Sequence, residues 1–534
     1  MDNSPLRAPH FHGVRAGIAR WLDDIETGWA IPVFIVGFIA FSTLILSIGY
    51  ISGNLHMDVL EAWSVGRTLA WGFWKHPPLM GWVTHGWAEV FPLTDWSFRL
   101  LAMVNAGLAL LAVDLIARRF VRGDKRAVIL LLLLLTPIYQ FHAEKFNANS
   151  VLLAVWPLAA YCFLRSFEER TAGWAAAAGF LCALAMLGKY YSIFLLAGFV
   201  IAAILHPGRA RYLCSKAPWI SLACGLAGIA PHVYWLSQHH FLPFQYAVQT
   251  HIVEKHDVHS FKDVALFILT NAAYLLLPIV SLGIMLRSHW REWWTNLKTL
   301  PSGLLLLLLV FAASFVLPIL VVLIIDSDLP ATWHFQGLFF IVLIAVCALR
   351  FEIPRRETIN LAAMVGILFV GALLVSPFYA LYRNAKPSPS GREFYRGAAE
   401  MLTAAWHQAY SVPLPYVSGD DGFAFATPFY SPDHPYYSRP FPFGHNWEMP
   451  EGSPFTKGWS ALCFAEETYC DTWMARIAQK NPTARRWTLS VRLSLWGFQG
   501  ATRNMMAIMI PPSAAPGHEI PANQRLDEVG ARRR

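Results

Sequence analysis

The chain has 534 residues, 56% of them hydrophobic and 14% charged, with a mean hydropathy of +0.41. A soluble globular domain carries about 25% charged residues, so this composition excludes an ordinary soluble fold and describes a polytopic membrane protein. The net charge of +8 lies mostly in short loops between apolar runs and makes no basic patch joined to a reading motif, which argues against a nucleic-acid partner.

Residues 1–28 are too long and too charged before their first apolar run to be a cleavable signal, so a cytoplasmic N-terminal segment is expected there. A spanning helix takes about 20 mainly apolar residues. Such runs fall at 29–51, 98–117, 127–143, 149–165, 172–188, 190–206, 217–236, 263–286, 301–325, 332–349 and 357–380, giving about 11 transmembrane helices. With the N-terminus inside, the loops 118–126, 165–173, 206–217, 287–298 and 350–357 face the cytoplasm, and all are rich in Lys or Arg. The loops 52–97, 143–149, the break near 189, 237–262 and 326–331 face outward and are mixed or acidic. This alternation obeys the positive-inside rule, and an odd number of spans puts the C-terminal region outside.

Past residue 383 the chain turns polar, aromatic and rich in Gly and Pro, behind the Pro/Ser linker 384–393. The stretches "PLPYVSGDDGFAF" and "RWTLSVRLSLWG" read as strands with turns, and 393–409 as an amphipathic helix. A small α/β or α+β domain over 383–510 is expected on the outer face, followed by a disordered tail over 511–534. Cys463 and Cys470 lie in that domain, where an oxidising compartment would join them. Cys162, Cys182, Cys214, Cys224 and Cys347 read as small buried hydrophobes, and no CxxC spacing suggests a metal site.

Chemistry-bearing residues gather in the outer loops. Asp58 and Glu61 are three apart and share a face if helical, an arrangement suited to a general base, to a divalent cation, or merely to the dipole of a helix first turn. "KHPPL" (75–79) presents Lys75 and His76 on a stiff proline turn, where a cation meets a phosphate or snorkels to the headgroups. Trp63, Trp71, Trp74, Trp82 and Trp87 fit an interfacial aromatic belt. His142, Glu144, Lys145, Asn147 and Asn149 form a second outer cluster, and Lys189 in "LGKYY" stands near a membrane boundary. His251, Glu254, His256 and His259 invite a metal reading, but their spacing matches no standard site and a solvated loop fits better. Asp326, Asp328 and His334 complete the outer set. Convergence at one face describes a site at the membrane–water interface.

These residues resemble a known family. "DVLEAWSVGRTLAWGFWKHPPL" (58–79) is similar to the first outer loop of bacterial membrane glycosyltransferases of family 39 and their relatives. Those relatives include protein O-mannosyltransferases, the lipid A aminoarabinose transferase and the rhizobial galacturonosyl transferases. Asp58 stands 18 residues before His76 (76 − 58), the offset of the family's catalytic acid. The stretches 99–120 and 147–196, the latter ending in the "GKY" element, look like later spans of the same family, and the likeness covers roughly 30–380. It implies a GT-C fold, with 29–382 as the catalytic domain in a bacterial inner membrane and the C-terminal domain in the periplasm. It also implies transfer of a sugar from a polyprenyl-phosphate donor to a lipid, glycan or protein acceptor, with Asp58 as general base and Glu61 beside it. Lys75, His76, Glu144, Lys145, Asn149, Lys189, Tyr190 and His334 are the candidates for binding substrate and its phosphate. The sequence departs from the family at two places: Val59 replaces the second acid of the motif, and Lys75 replaces the acid before His-Pro-Pro. Relatives use those acids toward a divalent cation, so a cation is carried here only as a candidate cofactor. The competing class is a non-catalytic transporter of lipid-linked sugars; pseudo-repeats and broken midplane segments, its usual marks, are not visible.

Overall fold

The computed structural model describes residues 9–251, 258–325, 327–437 and 457–512. Glu254, His256 and Asp326 lie outside the described residues, as do the side chains of His251 and His259 and the tail 513–534.

The chain is mostly helical. Helix α1 (Pro9–Asp23) precedes the apolar α2 (Ala30–Gly49), and two short helices, α3 (Met57–Gly66) and α4 (Leu79–Ala88), come before α5 (Asp95–Ala117). Then follow α6 (Asp124–Leu134), α7 (Leu152–Glu169), α8 (Ala172–Gly188), α9 (Ile193–Leu205), α10 (Arg209–Leu213) and α11 (Ala217–Gln238). Helices α12 (Leu242–His251), α13 (Val258–Tyr274), α14 (Leu276–Met285), α15 (Trp290–Leu297), α16 (Ser302–Ile325), α17 (Phe339–Cys347) and α18 (Arg355–Ala385) complete the apolar part. Among the described residues α2, α5, α11, α16 and α18 are each long and apolar enough to cross a membrane. The expected span at 263–286 is two helices, α13 and α14, bent by 49° and counted as a sixth only if they cross together. The other apolar runs form shorter helices. The run at 127–143 is helical only to Leu134, because Thr136, extended at ψ 143, precedes Pro137, and a residue before proline is driven out of the α region.

The chain divides into two compact units. The first comprises Met1–Thr43, Ala70–Met80 and Leu100–Ala372, and the second Leu44–Leu69, Gly81–Arg99 and Leu373–Arg534. In the first, a buried clasp joins α5 to α6: Arg126 donates to both oxygens of Asp114, at 2.9 and 2.8 Å, and the Arg118 guanidinium meets the same carboxylate at 2.9 Å. Asp114 and Arg126 are almost fully enclosed (0% and 4% exposed), so the geometry must satisfy both charges.

The second unit contains the mixed sheet that the C-terminal composition predicts. Strands β1 (Tyr416–Gly419), β2 (Tyr436–Tyr437), β3 (Trp459–Phe464), β4 (Arg485–Leu495) and β5 (Phe498–Ile510) lie in the order β2-β1-β3-β5-β4. The pairs β1–β2 and β1–β3 are parallel, while β3–β5 and β4–β5 are antiparallel. From Leu489 to Leu495, β4 alternates buried and exposed residues, the mark of a strand with one solvated face. Helix α19 (Tyr395–Ala409) matches the expected amphipathic helix, whereas "DDGFAF" forms the start of α20 (Asp421–Tyr430) instead of a strand. Helix α21 (Thr468–Lys480) packs Cys470, Met474 and Ile477 against Tyr416, Trp459, Ala461 and Ile508. Cys463 on β3 is bonded to Cys470 on α21, their Cα atoms 6.2 Å apart.

Candidate functional site

In the second unit Asp58 sits in the first turn of α3. The helix starts there because His56, extended at ψ 145, caps it: its Nδ1 lies 3.3 Å from the backbone nitrogen of Asp58 and 3.5 Å from Asp58 Oδ1. An unprotonated Nδ1 accepts the backbone N–H, and a protonated one meets the carboxylate instead. Asp58 and His56 are about one-quarter and one-fifth exposed, whereas Glu61, on the same face, is buried at 4%. The face that carries Asp58 is therefore reachable at its first turn and closed one turn later.

The backbone leading into α3 is held by a closed ring of polar contacts. Leu55 N–H donates to Tyr430 Oη (2.9 Å), and that hydroxyl donates to Asp95 Oδ1 (2.8 Å). The Arg396 guanidinium donates to Asp95 Oδ2 (2.9 Å), and Arg396 N–H donates to Asn54 Oδ1 (2.8 Å), which closes the ring next to Leu55. Burial, then the Asp95 charge, pushes the Tyr430 hydroxyl far above its ordinary pKa, so it stays a donor. Farther along, Trp63 of α3 stacks edge-on against Phe429, their centroids 5.3 Å apart. At its end α3 touches α4 so closely that a Cβ on Gly66 would lie 2.3 Å from Gly81 O. Arg67, just past the helix, lies over the Tyr436 ring at 4.2 Å and donates to Pro435 O at 2.8 Å.

In the first unit the proline turn forms as its sequence predicts: Phe73 N–H donates to His76 O (3.1 Å), with Pro77 and Pro78 buried beneath. Lys75 is half-buried, its ammonium 5.8 Å from the Trp74 ring centroid and 6.0 Å from that of Tyr246. His76 is half-buried on the same turn.

Lys189 occupies the break between α8 and α9. Its backbone is extended (φ −162, ψ 138), which ends α8 and turns the side chain out of the helix pattern. Its Nζ donates to Asn149 Oδ1 at 2.7 Å and lies 4.4 Å from the Trp333 ring centroid. Asn149 is held by a tight turn, in which Asn147 Oδ1 accepts the N–H groups of Asn149 and Ser150 at 2.8 and 2.9 Å. Tyr190 bonds His232 Nε2 at 2.9 Å, while His232 Nδ1 lies 2.6 Å from Trp71 O. That carbonyl can only accept, so Nδ1 carries the proton and Nε2 takes the Tyr190 hydroxyl.

The sequence candidates therefore fall into groups. Asp58 and Glu61 stand together in the second unit, while Lys189, Asn149 and Tyr190 stand together in the first. Glu144 is buried at 4%, and Lys145 is half-buried in the same loop. His334 is fully enclosed, with Trp156, Phe267, Phe311 and Phe315 rings 5.1 to 6.0 Å away. Sequence reasoning missed His56, the ring of Asn54, Asp95, Arg396 and Tyr430, and His232. Only His232 carried a usable signal, as an ionisable residue inside an apolar run. Among the described residues no three His, Cys, Asp or Glu side chains gather as a metal site.

Comparisons with known proteins place this geometry in context. Residues 75–235 match the family model described as dolichyl-phosphate-mannose-protein mannosyltransferase. A stretch of 208 residues is 23% identical to the lipid A galacturonosyltransferase RgtD of Rhizobium johnstonii, covering 39% of this chain and 43% of that protein. The chain thus aligns with less than half the length of this curated relative. ArnT from Cupriavidus metallidurans, in a crystal structure bound to undecaprenyl phosphate, superposes with a TM-score of 0.57 at 15% identity, over 91% of this chain and 99% of ArnT. Its apo form gives 0.56 at 15% identity, over 92% and 100%. The shared architecture is the GT-C fold of a multi-pass membrane protein.

Proposed function

We propose that this GT-C-fold protein is a membrane glycosyltransferase that moves a sugar from a polyprenyl-phosphate donor to an acceptor hydroxyl, with Asp58 as general base. The observation that carries the proposal is the placing of Asp58: a partly exposed carboxylate in the first turn of a short helix, 18 residues before His-Pro-Pro (76 − 58). The likeness to RgtD and the fold of ArnT support the same reading. A lipid acceptor suits it best, because RgtD is named for lipid A.

In the proposed step Asp58 takes the proton of the acceptor hydroxyl as its oxygen bonds to the anomeric carbon. The bond from that carbon to the phosphate oxygen breaks, and the phosphate leaves with the electron pair. In the first unit Lys189, held on Asn149, and Lys75, on its proline turn, supply positive charge for binding a phosphate. The proposed setting is a bacterial inner membrane, with the N-terminus cytoplasmic and the C-terminal domain periplasmic.

The test uses purified protein with a panel of polyprenyl-phosphate sugars and lipid A as acceptor. Asp58→Ala and Asp58→Asn should each lower kcat by about 10²- to 10⁴-fold, the usual contribution of a general base, with little change in donor binding. Undiminished transfer by Asp58→Ala removes it from that role. Movement of labelled lipid-linked sugar across vesicles without cleavage identifies a transporter instead.

A further inference from the structure

The β4–β5 hairpin ends in a turn that its own backbone does not explain. Leu495 pairs with Phe498, so Trp496 and Gly497 form a two-residue loop, with φ of +51 and +84. Two successive positive φ values are those of a type I′ turn, whose first position favours Asn, Asp or Gly. A bulky residue held in the left-handed region costs conformational energy, and nothing in the turn returns it. Trp496 is nevertheless 52% exposed, and Phe498 beside it is 62% exposed. Folding of the hairpin gains little from either ring.

The position of the tip suggests what the rings meet. Helix α18 is among the helices long and apolar enough to cross a membrane, and toward its end Leu374, Val375 and Phe378 are 59 to 71% exposed. Tyr379 and Tyr382 follow, 37% and 54% exposed, where a membrane span carries its interfacial aromatic belt. Two residues past Tyr382, Asn384 Nδ2 donates to Phe498 O at 3.2 Å. Gly500 lies against the same residue, since a Cβ there would be 2.3 Å from Asn384 O. Two residues of helix rise about 3 Å, so the hairpin tip is tied to the span at the level of its tyrosine belt.

We infer that the β4–β5 tip is a membrane anchor, with Trp496 and Phe498 seated in the headgroup layer of the leaflet that α18 reaches at Ala385. Trp, apolar in body and polar at its N–H, is the side chain this layer favours. The contact needs no sugar transfer, so it stands or falls separately from the proposed enzyme activity.

The experiment replaces Cys162, Cys182, Cys214, Cys224 and Cys347 by serine, leaves the Cys463–Cys470 bond intact, and introduces W496C or F498C for nitroxide labelling. A third label at T488C, on an exposed residue eight positions back along β4 and so about 26 Å from the tip, reports the aqueous control. The full chain is reconstituted in phosphatidylethanolamine–phosphatidylglycerol vesicles, and collision of each label with oxygen and with a neutral nickel chelate is measured. Labels at 496 and 498 should collide with oxygen several-fold more, relative to nickel, than the label at 488. A tip as open to nickel as position 488 overturns the inference. So does a tip immobilised and closed to both reagents, which would mean that protein covers it. Reading both 496 and 498 guards against a single substitution that disturbs the turn.

Discussion

His56 and Asp58 form a close pair at the start of α3. The His56 Nδ1 reaches both the backbone nitrogen of Asp58 and its Oδ1, at 3.3 and 3.5 Å, so one imidazole bears on the helix start and on the carboxylate. At Lys189 one partner is a neutral acceptor: Asn149 Oδ1 takes one of the ammonium's three hydrogens. If Lys189 binds the donor phosphate as proposed, Lys189→Met should weaken binding of undecaprenyl phosphate by about 10- to 100-fold, the worth of one charged hydrogen bond. Isothermal titration with that lipid reads the change, and unaltered affinity would detach Lys189 from the phosphate. Asp420, at the start of α20, is a different case. Burial, with the charges of Asp421 and Glu467, pushes its carboxyl up from 3.8 to about 6. A raised carboxyl favours the folded state while protonated, so its contribution is complete below the unfolded value and is lost as pH rises through about 6. Stability of the C-terminal domain should fall between pH 4 and pH 6, and Asp420→Asn should flatten that slope in denaturant titrations of the full chain.

At the scale of elements, α3 acts as a platform whose entry is set by other parts of the second unit. The ring through Tyr430, Asp95, Arg396 and Asn54 fixes the two residues immediately ahead of His56, and so the angle at which Asp58 leaves the chain. Tyr430→Phe removes the hydroxyl that bridges Leu55 to Asp95. One such bond is worth about 1 kcal/mol, so kcat should drop about fivefold with little change in KM, because the base is displaced and not deleted. A fall in thermal stability at constant kcat would assign the ring to folding alone. The break between α8 and α9 shows the same logic in the first unit. A continuous helix would carry Lys189 on its surface pattern, whereas the extended residue lets its side chain reach Asn149 and Trp333.

For the whole molecule, the loop charges give an expected orientation that a reporter can test. The inner loops expected from Lys and Arg content include 118–126, and the C-terminal sheet lies beyond α18. A phosphatase reporter that works only outside the cytoplasm should be active when fused after residue 388 and inactive when fused within 118–126. The reverse pattern would turn the protein over and place Asp58 on the cytoplasmic face. The aromatic tip at Trp496 bears on the same scale, since it would give the sheet a second attachment to the bilayer besides the helix that leads into it.

The class of the protein, its apolar segments, the positions of its basic loops and the candidate Asp58 were all legible in the amino-acid order. Hydropathy and charge act locally along the chain, and the acid-to-His-Pro-Pro spacing is a property of one loop. The strand at 485–495 and the helix at 395–409 were legible for the same reason, through their periods of two and 3.6. The sequence did not show how long each apolar helix would run, since a single proline ended α6 and a bend divided α13 from α14. Nor did it distinguish His334, enclosed among aromatic rings, from the exposed polar residues of the outer loops. What holds Asp58 in place was beyond it altogether: Leu55 and Tyr430 are 375 residues apart, and a single hydrogen bond across that distance leaves no periodicity to read. Only the packed chain decides such a contact, because a buried polar group is stable where a partner meets it and costly where none does.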